Sequence, residues 1–346
     1  MAPHDTRNRF HDRQIEMAHG AGGKASRRLV EGLIAPRFGG ALLEALSDSA
    51  ILELGGHRLA FTTDSFVVRP RRFPGGSIGA LAVHGTVNDL AMAGARPLAL
   101  LASLVLEAGL PGDELAAEIE AMAAAAEAAG VAIVGGDTKV VEHGKADGMF
   151  VTTTGLGLVD PRVRCSPGSV RAGDQILLSG PIGDHGITIL LARGEVDLEA
   201  DLASDSRSVA PMVMALVEAC AEEVRWMRDP TRGGVATALN ELARDAGVGV
   251  AIEEELVPVR DPVRGACELL GLDPLHIANE GQFLAVVAAE HAEVALAAIR
   301  AVPGGDAATR IGEVRAEPAG TVLAVTSYGG SRVVDMLVGD PLPRIC

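Results

Sequence analysis

A segment near the middle of the chain most constrains how the chain can fold. Residues 160–174, DPRVRCSPGSVRAGD, are rich in proline, glycine and charged side chains, a composition typical of a loop between packed units. A chain of 346 residues is also too long for one ordinary hydrophobic core. The sequence therefore predicts two domains, over residues 17–162 and 163–335, with an N-terminal extension at 1–16 and a C-terminal tail at 336–346.

Each predicted domain mixes strands and helices without a regular alternation. AILEL and RLAFTTDSFVV, joined at Gly55-Gly56, are typical of a hairpin, whereas Asp113 and Gly130 bound a predicted helix, and QILLSG and QFLAVVAA predict strands later in the chain. This order favours an α+β fold over a doubly wound parallel sheet. Aromatic residues make up only 3% of the chain, so alanine, leucine, valine and isoleucine must fill the cores.

Charge and hydropathy exclude several functional classes. The net charge of −16 argues against a general nucleic-acid binder, which would carry a basic patch. The apolar runs are interrupted well before membrane-spanning length, and the N-terminus lacks the apolar core of a signal peptide. We therefore expect a cytoplasmic protein with no membrane or nucleic-acid partner. The four cysteines form no CxxC pair and no compact framework, but one of them, Cys346, is the last residue.

A glycine-rich stretch, HGAGGKAS at residues 19–26, is the first candidate binding element. Gly20, Gly22 and Ala25 match the spacing of a dinucleotide-binding fingerprint, but the polar segment before them does not predict the strand that this motif requires. A Walker loop also fails, because alanines occupy its required positions. Two interpretations remain equally open: a loop, including Gly23, whose backbone N–H groups hold an anion at a helix start, or a mobile N-terminal segment.

Acidic residues end or follow apolar segments at three places in the first domain. Asp64 closes LAFTTD, Asp89 lies within GTVNDLAMAG, and Asp137 follows VAIVGG. Such an acid is often only a turn former. Three of them with polar neighbours make a better case for a site that binds a hard cation, and Mg²⁺ prefers oxygen ligands and is commonly shared with nucleotide phosphates. The polar neighbours are Asn88, Thr138 and Lys139.

The second domain has two further candidates. RDPTRGGV places Asp229, Thr231 and Arg232 before a predicted helix. Asp229 or Thr231 can simply cap that helix, whereas Arg232 and the following glycine N–H groups could instead contact a phosphate. ANEGQF places Glu280 in a turn, where a glutamate is usually just solvated.

These motifs occur in an order that resembles one known family. HGAGGKAS, TTDSF, GTVNDLAMAGARP, GGDTKVV, SGPIGDHG, RDPTRGG, ANEG and the closing PLPRIC resemble the HypE family, the carbamoyl dehydratases of [NiFe]-hydrogenase maturation. The resemblance covers residues 17–346. The internal motifs are shared more loosely with aminoimidazole ribonucleotide synthetase, selenophosphate synthetase and thiamine-monophosphate kinase, and the terminal PRIC narrows the resemblance to HypE.

The resemblance implies a fold, a reaction and partners. It implies two PurM-like α+β domains, a homodimer formed by the N-terminal domains, and an ATP site near that interface. It also implies that the carbamoyltransferase HypF loads a carbamoyl group onto Cys346. ATP would then convert the amide oxygen into a leaving group, so that dehydration yields a thiocyanate. The HypC–HypD complex would accept the cyanide for the hydrogenase iron.

The resemblance also implies roles for individual residues. Lys139 would neutralise charge on the transferring phosphoryl group, Glu280 would take the amide proton, and Cys346 would carry the substrate. The implied metal ligands, with Mg²⁺ as the ion, are Asp48, Asp64, Asp89 and Asp137. The implied nucleotide-binding residues are Gly20, Gly22, Gly23, Asp64, Asn88, Asp89, Asp137, Thr138, Lys139 and Arg232.

The tail fits this chemistry, and two alternatives remain. Pro341 and Pro343 disfavour helix and predict an extended arm that reaches a partner and then the chain's own active site. One alternative is another PurM-like ATP-dependent enzyme with a free small-molecule substrate, for which loss of Cys346 would leave turnover intact. The other is a carrier without activity, for which loss of Lys139 or Glu280 would be silent.

Overall fold

The computed structural model describes residues 10–38, 47–198, 200–339, 342 and 344–346. Pro341 and Pro343, which underlie the predicted extended arm, lie outside these residues. The first sheet has five strands in the order β1-β2-β7-β5-β6, and a two-stranded ribbon, β3-β4, lies beside it. The bounds are β1 Ala50–Leu54, β2 His57–Phe66, β3 Arg72–Phe73, β4 Gly76–Ser77, β5 Ala95–Glu107, β6 Ala132–Val141 and β7 Met149–Val159.

The predicted hairpin is confirmed. β1 and β2 pair in antiparallel fashion with Leu54 opposite His57. Gly55 and Gly56, which form the two-residue turn between them, have φ of +59° and +80°. Two successive positive φ angles are what a tight hairpin turn with the native strand twist requires, and glycine adopts them without steric cost.

Four helices belong to the first part of the chain. Two short ones, α1 Lys24–Leu29 and α2 Ala35–Phe38, are joined without a break by a π-helical segment, Val30–Ile34, and are followed by α3 Ile78–Met92 and α4 Gly112–Ala129. α3 and α4 pack together, and α3 also packs against the first sheet. Gly130 ends α4 as predicted, with φ of +67°. The N-cap of α4 is Pro111 rather than Asp113, whose negative charge in the first helical turn is still favourable there.

The other face of the first sheet, which we call the open face, has no layer over it in the described part of the chain. It carries exposed apolar side chains next to pairs of hydroxyl groups. The Ser65 hydroxyl lies 2.8 Å from that of Thr152 on the neighbouring strand. The exposed apolar side chains on this face include Leu54, Phe61, Leu101 and Val134.

The second sheet has seven strands in the order β14-β13-β10-β12-β8-β11-β9. Its strands are β8 Gln175–Leu178, β9 Val224–Arg228, β10 Gly249–Glu253, β11 Leu284–Val287, β12 Thr309–Arg315, β13 Thr321–Val325 and β14 Ser331–Val333. Its helices are α5 Asp184–Ala192, α6 Ala210–Cys220, α7 Gly234–Ala246, α8 Asp261–Leu270 and α9 Ala292–Arg300. Most pairings in both sheets are antiparallel, as an α+β fold predicts, but β5-β6 and β10-β13 are parallel.

Both faces of the second sheet are buried, which explains why its central strands are apolar throughout. Ile176 and Leu178 point into a core shared with α7, whereas Leu177 between them points into a core shared with α6 and α9. The α6–α9 core continues into the helix layer of the first sheet and includes Leu81 of α3. The two sheets are therefore joined through one apolar layer.

The chain end is part of the same layer. Leu342 and Ile345 are 4% and 2% exposed and belong to that shared core, and Cys346 packs against it. No helix among the described residues is both long enough and apolar enough to cross a membrane.

Candidate active site

Three aspartates from distant parts of the chain meet between the two sheets. Asp48 precedes β1, Asp89 lies in the last turns of α3, and Asp229 directly follows β9. One carboxylate oxygen from each lies within 4.8 Å of the others. Carboxylate oxygens this close together could hold a small divalent cation such as Mg²⁺, which prefers oxygen ligands.

Asp64 adds a fourth carboxylate on the same side of the first sheet. Side chains along a strand alternate between the two faces, so Thr62, Asp64 and the fully buried Phe66 share the face that packs on α3. The Thr62 hydroxyl lies 2.7 Å from Oδ2 of Asp89, which fixes α3 against β2 at this point. We call Asp48, Asp64, Asp89 and Asp229 the acidic cluster.

Burial and mutual repulsion make the acidic cluster costly without a cation. Burial, together with the nearby charge of Asp48, raises the pKa of Asp229 to about 8. Burial also raises the pKa of Asp48 to about 6 and that of Asp89 well above its usual range, with Asp229 the largest further contribution to Asp89. A divalent cation among these groups would relieve the repulsion and return them to the ionised state.

Arg228 neutralises one side of the acidic cluster. Its guanidinium contacts Oδ1 of Asp48 at 2.9 Å and Oε2 of Glu241 at 3.1 Å. Glu241 in turn lies 3.2 Å from Arg27 of α1, so the N-terminal helix is connected to the cluster through ion pairs. Asp48 is thereby held in position, and the oxygens of Asp89 and Asp229 face the remaining space.

The glycine-rich loop and Arg232 are brought together as neighbours. The Arg232 guanidinium donates to the carbonyl oxygen of Gly20 at 2.8 Å. Gly22 has φ of +76°, and a Cβ there would lie 2.7 Å from Cβ of Arg232, so only glycine fits. Between loop and cluster lies a cavity of about 290 Å³, whose walls include Gly22, Gly23, Asp229, Thr231 and Arg232. Backbone N–H groups and a guanidinium around one cavity suit a phosphate group.

Glu280 lies on the second-domain side of the acidic cluster. The side-chain amide of Asn279 donates to the carbonyl oxygen of Pro230 at 2.8 Å, which places Glu280 beside Asp229. Its side chain is 4% exposed. Burial, and then the charges of Asp229 and Asp64, raise the pKa of Glu280 well above its usual value. A buried carboxylate with a raised pKa is a stronger base than one in water, which suits proton abstraction at neutral pH.

Asn88 lies in the same region but uses its side chain to join the domains. Its amide nitrogen donates to the carbonyl oxygen of Arg207 at 3.0 Å, and its amide oxygen accepts from the backbone N–H of Val209 at 2.8 Å. Both groups belong to the segment that leads into α6. The side-chain amide of Asn88 therefore holds the backbone at Arg207 and Val209 in position next to the site.

Asp137, Thr138 and Lys139 lie apart from the acidic cluster within one chain. Successive residues of β6 point to opposite faces, so Asp137 and Lys139 belong to the open face and Thr138 to the side of α4. The row of paired residues that begins at Asp64 continues through Thr153, Ala102 and Gly136. β6 is three strands from β2, about 14 Å at the usual strand spacing. The Lys139 ammonium instead pairs with Asp137, and both side chains are well exposed.

The chain end lies in a cleft at the junction of the two sheets. The backbone N–H of Val67, just beyond β2, donates to the carbonyl oxygen of Cys346 at 3.0 Å. The terminal residue is therefore placed beside the continuation of the strand that carries Asp64. None of the four cysteines, all of which lie in the described part of the chain, forms a disulfide.

Asp229 is the residue that sequence reasoning missed. It was assigned as a capping candidate, but it follows the apolar strand VRWMR just as Asp64 ends LAFTT. The rule applied to the first domain, an acid at the end of a buried strand, would have selected it. Glu241 on α7 and Arg228 on β9 have no comparable sequence signal, because only the folded chain brings Arg228 into contact with Glu241 and with Asp48.

Comparison with known proteins identifies the family. Residues 46–159 match the model of the AIR synthase related protein N-terminal domain, and residues 171–325 match that of its C-terminal domain. The chain is 53% identical to carbamoyl dehydratase HypE of Azotobacter vinelandii, over 96% of this chain and 97% of that protein. The chain belongs to the HypE family. The family and fold predicted from sequence are confirmed, as is the assignment to the carbamoyl dehydratases of hydrogenase maturation.

Solved HypE structures have the same fold. HypE in a HypE–HypF complex superposes with a TM-score of 0.85 at 43% identity, covering 89% of this chain and 99% of that chain. HypE in complex with ATP superposes with a TM-score of 0.80 at 46% identity, covering 96% and 100%. The alternative of a PurM-like enzyme with a free substrate is correspondingly less supported for this HypE chain.

Proposed function

We propose that this protein uses ATP to dehydrate an S-carboxamide carried by its own Cys346. The observation that carries the proposal is the position of the tail. The terminal residue is hydrogen-bonded to Val67, three residues beyond Asp64 of the acidic cluster. That HypE has been solved in complex with ATP supports the nucleotide as the second substrate. A tethered substrate held beside a phosphate-binding cavity suits a phosphoryl transfer to that substrate.

The reaction balances as two steps. The carbonyl oxygen of the Cys346 S-carboxamide attacks the γ-phosphorus of ATP, and the bond from that phosphorus to the bridging oxygen breaks, which releases ADP. Removal of the N–H protons and loss of phosphate from the resulting iminophosphate leave S–C≡N. Glu280 lies where it can accept a proton from the amide nitrogen, and its raised pKa suits that role.

Mg²⁺ fits the donor set of the acidic cluster, and when bound it supplies positive charge to the polyphosphate. Asp48, Asp89 and Asp229 would hold it, with Asp64 beside them. The glycine-rich loop and Arg232 line the neighbouring cavity, where they can orient phosphate oxygens and exclude water. Among the predicted metal ligands, Asp137 is the one that the geometry of a single chain places elsewhere.

A second copy of the chain would explain the position of Lys139. The open face exposes Phe61, Leu101 and Val134, of which Val134 is 64% exposed, and large apolar patches of this kind mark protein interfaces. We propose that two copies pair through this face. Lys139, which shares this face, would then lie in the interface between the copies, where its charge would be available to the other copy. This pairing agrees with the homodimer implied by the sequence resemblance.

Partners and compartment follow from the same family. A HypE–HypF complex has been solved, and it supports HypF as the carbamoyl donor for this chain. We further propose the HypC–HypD complex as cyanide acceptor and the cytoplasm as the working compartment. Residues 17–162 and 163–335 would be the two domains, with 1–16 an extension and 336–346 the tail that moves between partners.

Intact-protein mass spectrometry tests the proposed function directly. The protein is incubated with HypF and carbamoyl phosphate, with and without Mg·ATP for this chain. The expected result is a carbamoyl adduct on Cys346 that loses the mass of one water only when this chain has ATP. An adduct that persists with ATP would identify a carrier, and unchanged turnover in Cys346→Ser would identify an enzyme with a free substrate.

A further inference from the structure

We propose that Asp147, His185 and Arg193, which we call the tail clamp, hold the last three residues so that Cys346 is directed at the acidic cluster. They are positioning residues, since each acts on the backbone or on Arg344 rather than on the thiol. Their role in dehydration rests on the proposed function. Their role in binding the tail does not, and the two can be tested separately.

The tail pairs with the continuation of β2 in an antiparallel register. Val67 donates its backbone N–H to the carbonyl oxygen of Cys346 at 3.0 Å, and Arg69 donates to that of Arg344 at 3.3 Å. Residue numbers therefore rise along the tail as they fall along the strand. The chain end points back toward Asp64, which is three residues, about 10 Å, from Val67 along an extended strand.

Arg193 fastens the tail to that strand from the end of α5. Its Nε donates to the carbonyl oxygen of Arg69 at 2.9 Å, and one terminal nitrogen donates to the carbonyl oxygen of Arg344 at 2.7 Å. One rigid guanidinium thus spans both backbones. Lysine has a single donor group and a flexible stem, so it could hold only one of these oxygens well.

Asp147 holds the side chain of Arg344. The Arg344 guanidinium contacts Oδ2 of Asp147 at 2.9 Å and the carbonyl oxygen of Val67 at 3.2 Å. Arg344 is also the non-glycine residue with positive φ, +55°, among the described part of the chain. A side chain and a carbonyl that are both held keep the backbone in this disfavoured conformation. That turn is what allows Ile345 to enter the core while Cys346 continues along Val67.

His185 holds the residue before the cysteine. Its Nε2 lies 2.9 Å from the carbonyl oxygen of Ile345, and its Nδ1 lies 2.8 Å from the hydroxyl oxygen of Ser204. Burial lowers the pKa of His185 to about 4, so the ring is neutral at physiological pH. A carbonyl oxygen can only accept, so Nε2 carries the proton and Nδ1 accepts from Ser204. The imidazole therefore donates one directed hydrogen bond to the tail, next to the buried Ile345 side chain.

The tail clamp and the buried Ile345 side chain together hold the tail in its docked position. Both must be released before a partner can reach Cys346 as an extended arm. The tail clamp therefore sets the fraction of time that Cys346 is docked. Weakening it should expose the thiol and should also slow the reaction that needs the docked state.

The rate of iodoacetamide alkylation at Cys346 in the full-length protein, followed by peptide mass spectrometry, tests the clamp. Arg193→Ala removes two hydrogen bonds from a charged donor and should raise the rate about tenfold or more. Asp147→Asn should raise it less, and Arg193→Lys should lie between wild type and Arg193→Ala. The matched control is Arg264→Ala, an exposed arginine of α8, which should leave the rate unchanged.

Internal thiols separate a specific effect from misfolding. Cys220 and Cys267 are buried, and their alkylation rates should stay at the wild-type value if the fold is intact. Wild-type rates at Cys346 in both Arg193→Ala and Asp147→Asn would overturn the clamp. If Cys346 becomes reactive but its carbamoyl adduct still loses water at the wild-type rate with ATP, the positioning role is wrong. If wild-type protein never loses water, the proposed function fails while the alkylation result still decides the clamp.

Discussion

Two groups of acidic residues in this protein follow similar apolar sequence patterns, but one group is buried and the other is exposed to solvent. The acidic cluster is buried between two sheets, where burial, together with repulsion from Asp48, raises the pKa of Asp229 to about 8. Asp137, on the outermost strand of the first sheet, is exposed, and its hydrogen bond from Lys139 lowers its pKa. Carboxylates that repel one another lie close together in the acidic cluster, and a cation can relieve this repulsion. Asp137, in contrast, is already neutralised by Lys139.

The difference arises from strand register, which places aspartates that follow similar apolar runs on different faces of the sheet. Asp64 and Asp137 both end or follow apolar runs, but they lie on opposite faces of one sheet. The inner face meets the second domain, whereas the open face has no layer over it in the described part of the chain. Under the proposed pairing of two copies, a contribution of Asp137 and Lys139 to catalysis would depend on the second copy, whereas that of the acidic cluster would not.

Asp229→Asn should have the largest effect. Removing one carboxylate from the acidic cluster should slow dehydration by about 100- to 1,000-fold, because phosphoryl transfer depends on positioning and charge neutralisation. The same change should raise the melting temperature of the protein in EDTA, since it removes a buried repulsion. Water loss from the carbamoyl adduct and thermal unfolding measure the two effects. Asp113→Asn, at an exposed residue in the first turn of α4, is the matched control. A wild-type rate of dehydration in Asp229→Asn would contradict a cation site in the acidic cluster.

Lys139→Ala should slow dehydration by about 100-fold without changing thermal stability, because the side chain is 67% exposed. Mixing this variant with Asp229→Asn sharpens the comparison. If the lysine acts across the dimer, a mixed dimer has one complete site, and a random mixture should recover roughly a quarter of wild-type activity. If both groups act within one chain, the mixture should stay inactive.

Val134→Asp should separate the two copies, and it should slow dehydration less than Lys139→Ala does. A charge among the exposed apolar side chains of the open face should shift the protein from dimer to monomer in sedimentation experiments and slow dehydration by about tenfold or more. Leu269→Asp, at a residue of α8 that is also highly exposed, is the control and should leave the dimer intact. A Val134→Asp protein that stays dimeric would exclude the open face as the interface.

The sequence predicted the α+β class and the hairpin at Gly55-Gly56, because each has a local signal. The division between residues 162 and 163 stays a prediction. The sequence also selected Asp48, Asp64, Asp89 and Glu280, which the structure brings to one place. The positions of Asp137 and Lys139 needed the register of four strands. That register depends on which residues pair across the sheet and cannot be read from a single segment.

The cleft for the tail could not be predicted for a similar reason. PLPRIC indicated that the last residue carries the chemistry, but Asp147, His185 and Arg193 are spread over almost fifty residues with no common pattern. What these three residues share is a contact with the tail, and that contact exists only in the folded chain. His185 occurs in SGPIGDHG, which the sequence used to identify the family rather than to locate a site.

The smallest expected effect is on the pH dependence of stability, and it separates the two acidic groups without any partner. A folded-state pKa raised from the ordinary value to about 8 means that folded Asp229 binds a proton that the unfolded chain has lost, so stability falls as pH rises between about 4 and 8. In EDTA, Asp229→Asn should flatten this decline between pH 5 and pH 8, because the folded variant no longer holds the proton that Asp229 binds over this range. Asp137→Asn should keep the wild-type slope over this range, because the lowered pKa of Asp137 leaves it ionised in both states. Urea unfolding across this range measures both slopes, and equal slopes in wild type and Asp229→Asn would show that repulsion in the acidic cluster does not control the stability of the fold.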